Sequence, residues 1–220
     1  MNERIRPLSD PGKPRPYRAP RREDAARRTR GKILDAARRL FVAEGYAGAT
    51  IAAIAREAGV AVDTVYASVG RKPALFRLLV ETAISGGDEP VPAEERDYVR
   101  RIRETRSARG KLEAYAAATR AIHARLAPLF VVLRAAAPGD PELTGLWHEI
   151  AERRAGNMRL LAADLSATGQ LDPSRDLQEV ADIIWATNSA DLYVLLVGER
   201  GWDPERYERW LADAWCRLLL

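Results

Sequence analysis

Residues 50–69, TIAAIAREAGVAVDTVYASV, place a small residue, Ala55, four positions before a glycine, Gly59. Two short helices that cross at a steep angle need a small residue at the crossing and a turn residue that tolerates positive φ. Apolar residues on both sides of the turn can bury such a crossing, and they are Ile54, Val60 and Val65. The spacing therefore predicts a helix-turn-helix. The alternative is an ordinary helical hairpin within a bundle.

The flanking sequence predicts longer helices. An apolar stripe at helical spacing over positions 33–41 predicts a helix over residues 23–44, and Gly45 follows as a C-terminal cap. Pro73 lies where a first helical turn tolerates proline, which predicts a helix continuing to about residue 84. The Gly- and Pro-rich residues 85–92 then mark a domain boundary.

The composition is that of a helical globular protein. Of 220 residues, 47% are hydrophobic and 30% are charged, and the good helix formers Ala, Leu, Arg and Glu dominate. No long run alternates with the period of a strand. We therefore predict an all-α fold with a disordered basic arm at 1–22, a three-helix helix-turn-helix domain at 23–84 and a helical domain at 85–220. In this last domain the predicted helices are 93–104, 108–125, 128–136, 141–167, 174–198 and 204–219.

Charge and cysteine content limit the possible partners and the cellular location of the protein. Residues 1–84 carry 17 Lys or Arg against 9 Asp or Glu, whereas the rest of the chain is net acidic. A basic module suggests a polyanionic partner for that end, and a solvated tail is the alternative. One cysteine, Cys216, allows no intramolecular disulfide and fits the reducing cytoplasm. The most apolar stretch, 180–197, is interrupted by polar residues, and no secretory h-region is present, so we expect no membrane association.

Several pieces of the N-terminal region match one known family. They are Phe41, Glu44-Gly45-Tyr46, Thr50, Ala55 with Gly59-Val60, Thr64-Val65-Tyr66, Lys72 and Leu75-Phe76. On these residues the segment 44–76 resembles the DNA-binding domain of TetR-type transcriptional regulators, and the resemblance extends over 25–84. It implies a dimer with about nine helices per chain, in which a C-terminal domain dimerises and binds a ligand.

The chain departs from the family pattern at two places. Ala61 stands where the family often has a serine that caps the second helix of the motif, and the lost cap removes about 1 kcal/mol of local stability. Ser68-Val69 stands where the family usually has His-Phe. The missing histidine removes a phosphate contact, although Ser68 can still donate a hydrogen bond.

The second helix of the motif is expected to lie in a major groove. Its exposed face has no Arg or Lys, so base contacts rest on a threonine hydroxyl and on apolar contact with thymine methyls, while Tyr66 and Lys72 contact phosphates. Core packing of Tyr66, a solvated Lys72 and a helix-terminal role for Asp63 are the alternatives. The candidate DNA-contacting residues are Thr50, Val62, Asp63, Thr64, Tyr66, Ala67, Ser68 and Lys72.

An N-terminal arm adds positive charge before the first helix, through Arg15, Arg18, Arg21 and Arg22. Such an arm can enter the adjacent minor groove. We expect it to add salt-dependent affinity with little sequence preference.

The C-terminal region is expected to dimerise and to hold an effector. Residues 177–197 and 204–219 are apolar around much of their circumference, and the family resemblance implies that their outer faces form a four-helix bundle between two chains. A small-molecule cavity needs apolar and aromatic walls with a few polar groups. Candidate residues for it, each of which has ordinary core or surface packing as the alternative, are His123, Phe130, Arg134, Trp147, Met158, Trp185 and Asn188.

These features predict a dimeric, sequence-specific DNA-binding regulator, a repressor released from a palindromic operator by a small apolar or aromatic effector. An activator or a ligand-independent regulator is the alternative, followed by a helical scaffold that does not bind DNA. We expect no enzyme activity, cofactor or metal. The His148-Glu149 pair lacks a second histidine at zinc-protease spacing, and neither a phosphate-binding glycine loop nor a nucleophile elbow occurs.

Overall fold

The computed structural model describes residues 19–87 and 89–220. The described residues form ten α-helices and no strand, which confirms the all-α prediction. The helices are α1 (Ala19–Gly48), α2 (Ile51–Ala58), α3 (Val62–Val69), α4 (Lys72–Ser85), α5 (Asp97–Glu104), α6 (Ala108–Ala136), α7 (Pro141–Ser166), α8 (Leu177–Thr187), α9 (Ala190–Tyr193) and α10 (Pro204–Leu219). Short 3-10 turns precede α5 and α7, and α9 continues as a π-helical turn, Val194–Glu199.

α1 begins earlier than the sequence predicts, at Ala19. Residues 19–22 of the predicted arm therefore belong to α1, and residues 1–18 of the arm lie outside the described residues. Near its other end, Gly45 has φ +72° and ψ 175°, which breaks the helical path. This conformation favours glycine. Gly45 is also the position at which the sequence predicts the end of the helix.

Local chemistry sets the boundaries of α2 and α3. The Thr50 hydroxyl oxygen accepts a hydrogen bond from the Ala53 N–H at 3.1 Å and caps α2. Gly59 ends α2 with φ +68°, the left-handed conformation that the turn between α2 and α3 requires. Ala61 precedes α3 with no side-chain cap, as the departure from the family pattern predicts.

The N-terminal core is built around aromatic rings. Phe41 and Phe76 are fully buried, and their ring centroids lie 5.0 Å apart at an edge-to-face angle. Tyr46 lies edge-to-face on Phe76 at 5.4 Å. Ile54 of α2 and Val65 of α3 join the same buried cluster, so the crossing helices are fixed against α1 and α4.

α6 is the central helix of the chain and contacts α1, α4, α5, α7, α9 and α10. The prediction of two helices, 108–125 and 128–136, is wrong, because Pro128 lies inside α6 at an exposed position. Ala108–Gly139 is long and apolar enough to cross a membrane by length and composition alone, but half of its most apolar stretch is buried inside the protein. Packing in the core therefore accounts for its apolar character.

The predicted helix over 174–198 is divided into α8 and α9. Asn188 leaves the helical path and is buried, and its amide nitrogen donates to the Tyr115 hydroxyl of α6 at 2.5 Å. The Ser189 hydroxyl oxygen then accepts from the Leu192 N–H and caps α9. This break brings a polar side chain into the interior.

Hydrogen bonds and ion pairs join α1 and α4 to the C-terminal helices α6 and α7. The Arg38 guanidinium donates to the Arg125 carbonyl at 2.9 Å, and the Arg125 Nε donates to the Ala83 carbonyl at 2.9 Å. Two ion pairs connect α4 to α7, Arg77 with Glu149 at 2.5 Å and Glu81 with Arg153 at 2.8 Å. These ion pairs link α7 to α4, which packs on α3.

Candidate functional site

α3 has a buried side and an outward side. Val65 and Val69 face the core, whereas Val62 is 39% exposed and Tyr66 is 47% exposed. Asp63 and Ala67 are exposed as well, and Thr64 and Ser68 are half-buried. We call this outward side the α3 face and define it by residues 62, 63, 64, 66, 67 and 68. It brings together six of the eight predicted DNA-contacting residues.

The two remaining predicted residues lie at neighbouring helix starts. Thr50 is exposed at the start of α2, and its hydroxyl keeps a free proton because the oxygen accepts from Ala53. Lys72 begins α4, with its Nζ 4.5 Å from the centre of the Tyr46 ring and 3.4 Å from the Ala47 carbonyl oxygen. Burial beside this ring lowers the pKa of Lys72. The lysine is therefore held against the domain rather than freely solvated.

Core packing of Tyr66 is not what the structure shows. Its ring lies on the α3 face, and the buried aromatic cluster uses Phe41, Tyr46 and Phe76 instead. Asp63 lies in the first turn of α3, where its charge suits the helix N-terminus.

A cavity of about 320 Å³ lies among α4, α5, α6, α7 and the α8–α9 break. Four of the seven predicted ligand residues line it: His123, Phe130, Met158 and Asn188. The other three do not. Arg134 pairs with Asp191 at 2.5 Å, Trp147 packs on Phe130 from outside with ring centroids 4.9 Å apart, and Trp185 donates its indole N–H to the Ala151 carbonyl at 3.4 Å.

Sequence reasoning missed several residues of the cavity wall. Tyr115 and Thr119 precede His123 by eight and four positions on α6, and the same helical spacing identifies Arg154 before Met158 on α7. This four-residue spacing is the sequence signal that could have identified Tyr115, Thr119 and Arg154. Further lining residues are Ile84, Tyr98, Ile102, Ile122, Arg153, Asn157 and Leu161.

Three side chains of the wall have a buried polar atom without a hydrogen-bond partner in the described part of the chain, and they are His123, Arg154 and Asn188. Asn188 is 3% exposed, and its amide nitrogen bonds to Tyr115 and to the Met158 sulfur, but its Oδ1 accepts nothing. His123 is 5% exposed, and its Nδ1 has no hydrogen-bond partner. Buried polar atoms are rarely left unpaired in native proteins. These atoms can therefore bond to polar groups of a bound molecule.

Burial, reinforced by the positive charge of Arg154, lowers the pKa of His123 to about 3. The imidazole lies edge-on to Tyr193 with ring centroids 5.7 Å apart. Burial also raises the pKa of Tyr115 far above its usual value. At neutral pH both groups are uncharged, so the cavity offers them as hydrogen-bonding groups and not as ions.

The His123 environment predicts a pH dependence of stability. In the unfolded chain the imidazole takes up a proton below about pH 6.5, whereas the folded protein excludes that proton until about pH 3. Acidification should therefore lower the free energy of unfolding by about 1.4 kcal/mol per pH unit between about pH 5.5 and 4 through this group alone. In urea titrations His123→Gln should lack this component, while the exposed-site control His148→Gln keeps it. Equal pH slopes for the two variants would contradict the prediction.

Residues 33–79 match the model of bacterial regulatory proteins, tetR family. This range includes α2, α3, the cap Thr50 and Lys72. None of the curated proteins matches the chain.

Solved structures share the fold over most of the chain. NalD, the secondary repressor of the MexAB-OprM multidrug efflux pump in Pseudomonas aeruginosa, is 20% identical with a TM-score of 0.68, over 87% of this chain and 97% of NalD. The fatty acid degradation regulator FadR from Bacillus halodurans is 18% identical with a TM-score of 0.67, over 85% of this chain and 94% of that one. FadR from Bacillus subtilis, solved in complex with stearoyl-CoA, is 20% identical with a TM-score of 0.65, over 84% and 96%.

The solved structures are too distant in sequence to show more than a common fold. The match over residues 33–79 covers the helix-turn-helix itself. Residues 33–79 thus resemble the bacterial regulatory proteins of the tetR family, and the chain as a whole has the fold of the solved regulators.

Proposed function

We propose that the protein is a dimeric, sequence-specific repressor that binds a palindromic operator and leaves it when a small apolar or aromatic molecule fills the cavity. The observation that carries the proposal is the α3 face, which presents Val62, Thr64 and Tyr66 outward from a helix-turn-helix that resembles the tetR family. The structures of NalD, a repressor, and of FadR with stearoyl-CoA support a repressor that responds to small molecules.

α3 would lie in the major groove with its N-terminal turn at the base edges. Val62 and Ala67 suit thymine methyls, the Thr64 hydroxyl suits a base acceptor, and Asp63 suits the amino group of cytosine. Tyr66, Ser68, Lys72 and Thr50 would position the domain on phosphates. α3 holds no arginine or lysine, so affinity would depend on these flanking contacts and salt would weaken it.

The second copy would pack on the apolar outer face of the last helices. Val180, Ile184 and Tyr207 are buried within the chain, so one side of these helices is already used. Apolar side chains on the other side stay exposed, and they are Leu177 (47%), Leu195 (49%), Trp210 (37%) and Leu218 (40%). An exposed apolar surface of this kind is typical of an interface, and pairing these helices would build an intermolecular four-helix bundle.

Effector binding would act on α4 through the cavity wall. Ile84 of α4 lines the cavity, and Arg153 of the wall pairs with Glu81 of α4. A ligand that favours one position of α7 therefore changes the spacing of the two α3 helices in a dimer, limited by its differential affinity for the two states. A DNA-binding activator built on the same parts remains the second candidate, because the sign of regulation depends on where the operator lies.

Selection of bound duplexes from a random DNA pool tests the proposal. The full-length protein should enrich a palindrome whose two half-sites are separated by about one helical turn. Absence of any enriched motif at moderate salt would contradict sequence-specific binding. An enriched motif without two-fold symmetry would contradict the dimer alone.

A further inference from the structure

We propose that the effector is a small organic acid, with an apolar or aromatic body and one carboxylate-type anionic group, and that Arg154 binds this group. The inference rests on the proposed function, since it names the chemical class of the effector for the same cavity. It follows from the charges of the wall, from the surroundings of Arg154 and from the apolar remainder of the cavity.

The other arginines of the cavity wall already have partners or face solvent. Arg153 pairs with Glu81 at 2.8 Å, and the Arg96 Nε donates to the Val91 carbonyl at 3.0 Å. Arg103 is exposed, so water solvates its charge. None of the three brings a free cationic charge to the interior.

Arg154 differs from them. It is half-buried, its Nε is buried without a hydrogen-bond partner, and it forms no ion pair with any described residue. The nearby acids form no ion pair with it. Asp164 pairs with Lys111 at 2.7 Å. Asp191, whose charge reaches Arg154, pairs with Arg134 at 2.5 Å. Glu94 of the wall is exposed. Removing a guanidinium from water without a counterion is costly, so a bound anion gains free energy by supplying one.

The guanidinium is held in place before any ligand binds. Its Cζ lies 4.6 Å from the centre of the Trp185 ring, which covers one face of the fork by a cation–π contact. Its charge also reaches His123, whose pKa it helps to lower. A preorganised arginine beside a neutral imidazole can bind a carboxylate through two parallel N–H bonds, with little loss of side-chain entropy.

The remaining wall selects the body of the ligand. Ile84, Ile122, Phe130 and Leu161 are apolar, and the volume of about 320 Å³ lies at the small end of ligand pockets, which hold about 300–1,000 Å³. The unpaired Asn188 Oδ1 can accept from a hydroxyl or amide on the same molecule. A ligand amine would meet the repulsion of Arg154, and a neutral analogue would leave its charge uncompensated.

Matched ligand series test the inference by isothermal titration calorimetry on the full-length protein. The probes are 1-naphthoate, 1-naphthamide and 1-naphthylmethylamine, together with octanoate, octanamide and octylamine. At least one acid should bind at least about tenfold more tightly than its amide, and the amines should bind most weakly. The two series distinguish an aromatic from an aliphatic body.

Substitutions distinguish a specific contact with Arg154 from a general attraction between the ligand and the positive charge of the protein. Arg154→Met should abolish the preference for acid over amide, and Arg154→Lys should keep part of it. Arg159→Met, on the same helix but exposed and outside the cavity, should retain the full preference. Because Arg154 forms no ion pair with any described residue, Arg154→Met should not lower the melting temperature of the ligand-free protein.

Either of two results would overturn the inference: no acid binds more tightly than its amide, or Arg154→Met keeps the preference. Operator affinity measured in parallel distinguishes this from failure of the proposed function. Acids that bind through Arg154 but leave operator affinity unchanged contradict release by the effector and not the anion preference. A neutral amide that releases the operator while its acid does not contradicts only the anion preference.

Discussion

Leu195→Glu is expected to convert the dimer to a monomer and to lower operator affinity on the order of 100-fold. Leu195 is 49% exposed in the π-helical turn after α9, and Trp210 and Leu218 of the same proposed interface are exposed as well. A glutamate there would have to bury its charge in an apolar contact between two copies. A monomer also contacts only one half-site at a time. In the dimer the second half-site is bound in an intramolecular step, and that contribution to affinity is lost.

Sedimentation equilibrium and fluorescence anisotropy on the selected operator measure these two effects. Val131→Glu is the matched control, since Val131 is 40% exposed on α6 and lies outside the proposed interface. The control should remain dimeric with unchanged operator affinity. A Leu195→Glu protein that stays dimeric at micromolar concentration would place the interface elsewhere.

Phe76→Ala is expected to lower the free energy of unfolding by about 3–5 kcal/mol, as large-to-small changes of buried aromatics do. Phe76 has no exposed surface and makes edge-to-face contacts with Phe41 and Tyr46. Its loss leaves a cavity where α1 meets α4 and removes these ring contacts. Since α3 is positioned by the same core, operator binding should weaken at temperatures where the dimer persists.

Urea unfolding of matched variants measures the change in stability. Phe76→Leu keeps an apolar side chain and should lose less than Phe76→Ala. Val42→Ala removes an exposed apolar side chain from α1 and should stay within about 0.5 kcal/mol of the parent protein. A loss below about 1 kcal/mol for Phe76→Ala would show that this core does not hold the helix-turn-helix together.

The parts of the fold that the sequence predicts well depend on short-range chemistry. Thr50 and Asp203 are of residue types that favour helix N-caps, and each accepts a hydrogen bond from the N–H three residues later. Gly45 and Gly59 take positive φ where the pattern predicts a helix end. In each case the signal and the structure that it specifies lie within one or two helical turns of each other.

The parts that were missed depend on contacts between distant residues. The neighbouring Ser189, which caps α9, is a local signal for the break, but the Asn188 amide is held by Tyr115, 73 positions earlier. Pro128 suggests a helix end locally, but packing of α6 against its many neighbours keeps that helix continuous. Tertiary contacts override local preference at both places.

The candidate sites show the same division. The α3 face follows from the period of one short helix, so Val65 could be assigned to the core, whereas Tyr66 was predicted to contact phosphate with core packing as the alternative. The cavity gathers residues from several helices, and its apolar and aromatic members follow from composition only in part. Arg154 was missed because arginine is ordinarily a surface residue, and only the packing of Trp185 against it shows otherwise.

A comparison of selected motifs tests whether the α3 face contacts base edges while Lys72 contacts phosphate. The selection from random DNA is repeated with Thr64→Ala and with Lys72→Met. Thr64→Ala should relax the preference at one position, symmetrically in both half-sites, at a cost of about 1–3 kcal/mol for the preferred base. Lys72→Met should keep the motif, weaken binding uniformly and reduce the salt slope by about 1. A motif that Thr64→Ala leaves unchanged at every position, or one that Lys72→Met alters, would contradict the assignment of these two residues and with it the placement of α3 in the groove.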